Sequence, residues 1–125
     1  MIKFRNWLEH QIPPEVYHGT PHEFTAFKVA SSKNNDAGIW FSNSEKIARG
    51  YGYGGTWNNL ILPKVIKAKI TIKNPHIVYD RDVKITDKFI DRLKQEGYDG
   101  VIRILEYEEE YCVFDPSQIQ VIKKT

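Results

Sequence analysis

The chain has few of the features that mark secreted, membrane-spanning or strongly charged proteins. It contains a single cysteine, Cys112, so no disulfide can form within it. No run approaches the ~20 apolar residues that a membrane span needs, and the N-terminus lacks the apolar stretch of a secretory signal. Lysine and arginine number 18 against 16 aspartate and glutamate residues, a balance too even to indicate nucleic acid or a membrane surface as partner. We therefore expect a cytoplasmic protein without a membrane partner, although an effector delivered into a host cell would have the same composition.

Composition and length together predict one folded domain. Hydrophobic residues make up 41% of the chain and aromatic residues 13%, which is typical of globular proteins and not of disordered ones. A chain of 125 residues is expected to bury about two thirds of its surface on folding, and it is too short for two ordinary domains. We predict a single domain over residues 1–125.

The pattern of apolar residues predicts more strands than helices. Helical spacing over residues 2–12 ends at two prolines, which remove backbone amides and fix the backbone. Two further helices are predicted, one over residues 44–51 and one between a cap at Thr86 and a closing Gly97. Strands are predicted over residues 16–19, 38–42, 65–73, 100–107, 111–114 and 118–122. Because strands outnumber helices and no strand–helix–strand alternation is evident, the predicted fold class is α+β.

Three segments far apart in the chain carry side chains suited to a binding site. They are Tyr17-His18-Gly19-Thr20, the stretch that starts Gly38-Ile39-Trp40-Phe41-Ser42 and continues to Tyr51, and Glu109-Glu110-Tyr111-Cys112-Val113-Phe114-Asp115. In that order they supply a histidine, aromatic rings and a glutamate. A glycine such as Gly19 lets the backbone approach a planar ligand closely. In a strand, side-chain alternation places Glu110 on the same face as Cys112 and Phe114.

Together these segments resemble the NAD site of ADP-ribosyltransferases of the His-Tyr-Glu type, the group that includes poly-ADP-ribose polymerases and diphtheria toxin. The stretch from Gly38 to Tyr51 is similar to the Gly-Ile-Tyr-Phe strand and the following helix of the polymerases, without a gap. Glu110 begins a stretch that resembles their Glu-Tyr-x-Val-(Tyr/Phe)-Asp motif. The turn Gly97–Val101 is similar to one in small phage and bacterial members. The resemblance implies an ADP-ribosyltransferase-like fold, with two packed, mostly antiparallel sheets and a few short helices.

The resemblance also implies a role for each matching residue. His18 would bond the ribose on the adenosine side of NAD, Gly19 would offer backbone groups to the nicotinamide carboxamide, and Glu110 would hold the ribose 2′-hydroxyl and activate the acceptor. The implied catalytic residues are Glu110, His18 and Tyr51. The implied NAD-binding residues are His18, Gly19, Thr20, Trp40, Phe41, Ser42 and Tyr51. Trp40 stands where the family usually has tyrosine, which leaves open whether Trp40 or Tyr53 stacks on nicotinamide beside Tyr51.

The function implied by the resemblance is mono-ADP-ribosyltransfer, with NAD as substrate and a protein or nucleic acid as acceptor. The chain has no room for the regulatory helical domain of the eukaryotic polymerases, which favours transfer of a single ADP-ribose. Two alternatives stay open: an NAD glycohydrolase toxin, in which water is the acceptor, and a non-catalytic NAD- or ADP-ribose-binding module on the same fold. A phosphate-removing transferase of this fold would need arginines lining the pocket. None of the available arginines lies in a matching motif: Arg5, Arg49, Arg81, Arg92 and Arg103.

Two residue groups have simpler interpretations. Three consecutive glutamates, 108–110, could be solvated charges at a hairpin, which is the default for this residue type. Cys112, between large residues of a predicted strand, is expected to be a small buried apolar group. No metal-ligand spacing occurs in the sequence, so no metal is predicted.

Overall fold

The computed structural model describes residues 12–20, 26–52 and 64–124, apart from the side chains of residues 51, 52 and 124. The predicted N-terminal helix lies almost entirely outside the described residues. So does the segment that follows the helix ending near Tyr51, including Tyr53, the second candidate for the stacking ring.

Seven strands and two helices make up the described part of the chain. The strands are β1 (Val16–Thr20), β2 (Ile39–Ser42), β3 (Lys64–Ile70), β4 (Pro75–Val78), β5 (Gly100–Ile104), β6 (Glu109–Val113) and β7 (Ile119–Lys124). The helices are α1 (Glu45–Gly52) and α2 (Asp87–Gln95), with a 3₁₀ turn at Pro116–Gln118. Neither helix is long and apolar enough to cross a membrane, as far as the described residues go. The result is a mixed fold of strands with few helices, as the sequence predicts.

The described strands form one hydrogen-bonded sheet, in the order β4-β5-β6-β2-β1-β3-β7, where two packed sheets were expected. β1 pairs with β3 over five residues but with β2 through a single pair, Tyr17 opposite Ser42. We call this pair the junction. One continuous sheet forms instead of two because this single pair joins two half-sheets, β4-β5-β6-β2 and β1-β3-β7. All neighbours are antiparallel except β4 and β5.

Side-chain alternation divides the apolar core between the two faces of the sheet. On β6, Tyr111 and Val113 belong to a cluster with Ile39 and Phe41 of β2. Cys112 belongs to a second cluster, which includes Ile90 and Leu93 of α2. Glu110, two residues before Cys112, therefore starts on the α2 side of the sheet. Cys112 is fully buried, as predicted, and burial raises the pKa of its thiol.

Helix α2 begins and ends where the sequence predicts. The Thr86 hydroxyl accepts a hydrogen bond from the Phe89 amide at 3.3 Å, and Gly97 has a positive φ of 93° beyond the last turn. The expectation that no strand–helix–strand unit occurs is wrong, because α2 connects the parallel pair β4 and β5. Strand β4 was not predicted because it is a short edge strand that opens with Pro75, a residue without an amide hydrogen.

Candidate active site

A cavity of about 150 Å³ lies beside the junction and is lined by all three predicted segments. Its lining residues are Tyr17, His18, Gly19, Trp40, Phe41, Ser42 and Glu110. Pockets for whole drug-sized ligands span about 300–1,000 Å³. The described cavity is therefore smaller than a site for a complete dinucleotide, and the described residues form only part of such a site.

The His18 ring occupies the gap where pairing between β1 and β2 stops. The register set by Tyr17 and Ser42 would bring Gly19 opposite Trp40, but the described ladder contains no such pair. Instead, the Trp40 carbonyl accepts a hydrogen bond from His18 Nδ1 at 2.8 Å. Because a carbonyl can only accept, Nδ1 carries the hydrogen and Nε2 of the neutral ring is an acceptor.

Aromatic rings surround His18 and hold it neutral. The Phe27 ring meets it edge-on with centroids 5.1 Å apart, and the Phe41 ring lies at 5.7 Å. Burial lowers the pKa of His18, and the hydrogen bond to the Trp40 carbonyl, which acts in the opposite direction, does not cancel this effect. A neutral imidazole with an acceptor at Nε2 suits a hydroxyl group of a ligand.

Glu110 is buried and ion-paired rather than solvated. Only 7% of the residue is exposed, and it lies directly opposite both Ser42 on β2 and Arg103 on β5. Arg103 Nη1 donates to its Oε1 at 3.0 Å, and Arg81 Nη1 lies 3.6 Å from its Oε2. Glu108 is equally buried. The interpretation of these glutamates as solvated hairpin charges is therefore wrong for both.

Glu108 is tied to the site through Ser42 and Arg81. Ser42 is 1% exposed, and its hydroxyl donates to Glu108 Oε2 at 3.0 Å. The Ser42 hydroxyl oxygen also accepts from the Ser44 amide at 3.0 Å. Arg81 Nη2 donates to Glu108 Oε1 at 2.7 Å. Ser42, which was expected to contact NAD, thus also fixes a buried carboxylate beside the cavity.

Arg103 is the centre of a charge network that sequence reasoning missed. Its guanidinium donates to both carboxylate oxygens of Asp36, at 2.9 and 3.1 Å, and to the Val83 carbonyl at 2.9 Å. Burial alone would lower the pKa of Arg103, but its bonds to Asp36 and Glu110 outweigh that effect and raise it. Burial likewise works to raise the pKa of Asp36, and the bond to Arg103 outweighs it, so that this pKa is lowered.

Trp40 has one ring face already covered. The Arg103 guanidinium carbon lies 4.5 Å from the centroid of its ring, and its indole Nε1 donates to the Ala37 carbonyl at 2.7 Å. A ligand could therefore stack only on the opposite face of the ring. Phe41, by contrast, is 2% exposed and packs into the core against Phe27.

Two predicted residues are not among the described lining residues of the cavity. Thr20 is paired with Lys64 at the end of β1 and is not among the residues that line the cavity. Tyr51 lies in the last turn of α1, and its side chain is outside the described part of the structure. Its role as a stacking ring stays a prediction.

Acidic and basic side chains alternate around Glu110. Asp36, Glu108 and Glu110 pair with Arg81 and Arg103, and Lys84 also acts on Asp36. A buried carboxylate in the cavity wall, such as Glu110, suits a ligand that develops positive charge. No arginine is among the residues that line the cavity as described. Within residues 12–20, 26–52 and 64–124, no group of three or more histidine, cysteine or carboxylate side chains could hold a metal ion.

Comparison with known families identifies the fold. A family model described as ADP-ribosyltransferase in polyvalent proteins matches residues 11–89, more than half of the chain. The matched region includes His18 and Trp40 and ends before Glu110. A search of curated proteins gives no match. The chain therefore belongs to the family of ADP-ribosyltransferases in polyvalent proteins.

Proposed function

We propose that residues 1–125 form one catalytic domain, a mono-ADP-ribosyltransferase of the His-Tyr-Glu type. It cleaves NAD to nicotinamide and transfers ADP-ribose to a protein or nucleic acid. The observation that carries the proposal is the convergence of His18 from β1 and Glu110 from β6 on one cavity, in a chain that belongs to an ADP-ribosyltransferase family. Action in the cytoplasm, as part of a phage or bacterial effector or toxin, stays a prediction.

In the proposed reaction, the bond between nicotinamide and the ribose C1′ breaks and its electron pair leaves with nicotinamide. The ribose then carries oxocarbenium-like positive charge, as in glycoside cleavage. The Glu110 carboxylate stabilises this charge and accepts a hydrogen bond from the 2′-hydroxyl. The acceptor nucleophile forms the new bond to C1′ and loses its proton to Glu110. The position of a buried carboxylate in the wall of the cavity supports this role.

The remaining predicted residues hold the substrate. His18 Nε2, an acceptor because Nδ1 is committed to the Trp40 carbonyl, bonds a hydroxyl of the adenosine-side ribose. The Gly19 backbone holds the nicotinamide carboxamide. The face of Trp40 opposite Arg103 and the ring of Tyr51 stack on nicotinamide, with a gain of about 1–2 kcal/mol per contact. Phe41 supports His18, and Thr20 extends the wall of the site beyond the cavity.

Nicotinamide release tests the proposal directly. The purified chain is incubated with NAD and free nicotinamide is measured by liquid chromatography. Glu110→Gln should raise the barrier by about 2–4 kcal/mol, as loss of a charge-stabilising group does. Glu106→Gln is the matched control, since Glu106 is an exposed glutamate of the same hairpin. Equal release by the wild type and Glu110→Gln would remove Glu110 from the mechanism.

A second experiment identifies the acceptor. NAD labelled in its adenosine half is supplied with cell lysate, and the products are treated with protease or nuclease. Label that protease releases indicates a protein acceptor, and label that nuclease releases indicates nucleic acid. Nicotinamide release without transfer of label supports the glycohydrolase alternative. NAD binding without release supports the non-catalytic module, an alternative that the arginines held against Glu110 keep relevant.

A further inference from the structure

Arg103 is among the least exposed polar side chains of the described residues, although arginine rarely enters a protein interior unpaired. Only 1% of the Arg103 surface is exposed to solvent. Nη1 donates to Glu110 Oε1 at 3.0 Å and to Asp36 Oδ2 at 3.1 Å, while Nη2 donates to Asp36 Oδ1 and to the Val83 carbonyl, both at 2.9 Å. Four bonds to three partners fix the plane of the guanidinium.

The same guanidinium touches two side chains that the proposed reaction uses. It lies over the Trp40 ring with its central carbon 4.5 Å from the ring centroid, and it bonds Glu110 directly across the β5–β6 ladder. Trp40 and Glu110 belong to neighbouring strands and do not need to contact each other. Because Arg103 contacts both groups, it holds the Trp40 ring and the Glu110 carboxylate in place relative to each other.

Asp36 is the second carboxylate bound to Arg103. Among the described residues, the groups that face Glu110 include Arg103 from β5, Ser42 from β2 and Arg81 from the loop after β4. Glu108 joins them through its bonds with Ser42 and Arg81. Asp36 binds Arg103 with both oxygens, so the guanidinium is shared between two carboxylates.

From these contacts we infer that Arg103 is a positioning residue for NAD cleavage, which holds the Glu110 carboxylate and the Trp40 ring in a fixed relation, with Asp36 as its counter-ion. The inference rests on the function proposed above, in which Glu110 acts on the ribose. Neither Arg103 nor Asp36 lines the cavity, so both act through other side chains.

Two variants test the inference. In Arg103→Met the Glu110 carboxylate and the Trp40 ring lose the side chain that contacts both. The kcat should therefore fall about a hundredfold, the scale of a misplaced catalytic group, with little change in KM for NAD. In Asp36→Asn the guanidinium keeps its bonds to Glu110 and Val83, so kcat should fall less. A purely structural role would lower the yield of folded protein and would not separate kcat from KM.

Two more variants sharpen the comparison. Arg103→Lys keeps the positive charge, so it should restore part of kcat but not all of it, because an ammonium cannot reproduce the planar fork. Arg92→Met is the matched control. Arg92 also places its guanidinium over an aromatic ring, that of Phe89 at 4.8 Å, but it lies on α2 and outside the cavity lining. Arg92→Met should leave kcat and KM unchanged.

A measurement that needs no substrate completes the test. The NMR signal of the Glu110 carboxyl carbon is assigned from its loss in Glu110→Gln. At one fixed pH its chemical shift should change in Arg103→Met and stay at the wild-type value in Arg92→Met. If Arg103→Met does not fold, Asp36→Asn decides, since the amide oxygen of the new side chain can still accept from the Ile85 amide as Asp36 does. An active wild type, with kcat and the Glu110 signal unchanged in the folded variants, overturns the positioning role alone. Absence of nicotinamide release by the wild type overturns the proposed function and, with it, any role of Arg103 in cleavage.

Discussion

His18 and Trp40 are joined across the junction by a hydrogen bond from ring Nδ1 to the main-chain carbonyl, 2.8 Å long. The His18 side chain thereby lies where backbone pairing of Gly19 with Trp40 would otherwise occur. The bond fixes the tautomer of the ring and keeps β1 and β2 apart beyond Tyr17 and Ser42. His18 thus lies where the pairing of β1 with β2 ends, and its Nε2 provides a hydrogen-bond acceptor at the cavity.

Replacement of His18 should weaken substrate binding more than it slows cleavage. His18→Ala removes the Nε2 acceptor and leaves the Trp40 carbonyl without its partner, and a lost hydrogen bond of this kind costs about 1–3 kcal/mol. We expect this cost mainly as a higher KM for NAD in the nicotinamide-release assay. His76→Ala is the control, because His76 also packs between two rings, those of Phe89 and Tyr98, but lies outside the cavity lining. Equal KM values for both variants and the wild type would contradict the role of His18.

Stability should fall as the pH falls through the range where free histidine titrates. Burial lowers the pKa of both His18 and His76 from the ordinary value of 6.5. Below that value the unfolded chain binds more protons than the folded chain, so the free energy of unfolding decreases until the lowered folded-state pKa is passed. Asp36, whose pKa is lowered from 3.8, affects stability only in a more acidic range.

Urea denaturation at about pH 7.5 and pH 5 measures this effect. The wild type should have a lower urea midpoint at the lower pH. The decrease should be smaller in His18→Gln and in His76→Gln, because each variant removes one of the groups responsible. A midpoint that is independent of pH in the wild type would show that neither histidine is held neutral by the fold.

Gly38 should tolerate no side chain, whereas Gly50 should accept one. Gly38 has a φ of 91°, and a Cβ there would lie 2.5 Å from the Cys112 sulfur. Strain and overpacking predict a loss of about 1–3 kcal/mol in unfolding free energy for Gly38→Ala. Gly50 lies inside α1, where an added Cβ would meet no atom of the described residues within 4 Å, so Gly50→Ala should gain about 0.5–1 kcal/mol. Denaturant titration of both variants provides the check, and a destabilised Gly50→Ala beside an unaffected Gly38→Ala would reverse the prediction.

Local sequence signals were enough to predict most elements of the fold. The cap at Thr86 and the left-handed Gly97 bound α2 as expected, because capping depends on residues that are near in sequence. Strand β4 was missed since proline and a four-residue length conceal its pattern. The single sheet was also missed, because the pairing of β1 with β2 through one residue pair leaves no trace in the residue pattern.

The residues that line the candidate site could be predicted from the sequence, but the residues that hold them in place could not. Segments around His18, Trp40 and Glu110 were identified by resemblance, and they line one cavity, while their catalytic roles stay predictions. The position of Arg103 opposite Glu110 follows from the register of the β5–β6 hairpin and could have been read from it. The contact of Asp36 with Arg103 could not be predicted, because Asp36 lies 67 residues away in the chain, in a polar loop whose sequence indicates only a turn.

The pairing of Asp36 with Arg103 has an evolutionary consequence. Replacement of Arg103 alone would leave both Asp36 and the buried Glu110 without their shared cation, at a cost of about 3–5 kcal/mol. Among descendants of a common ancestor, we expect positions 36 and 103 to change in concert, with charged pairs or neutral pairs favoured over mixed ones. Correlated substitution between a loop and a distant strand would then record, in the genomes of relatives, a contact that is largely removed from solvent.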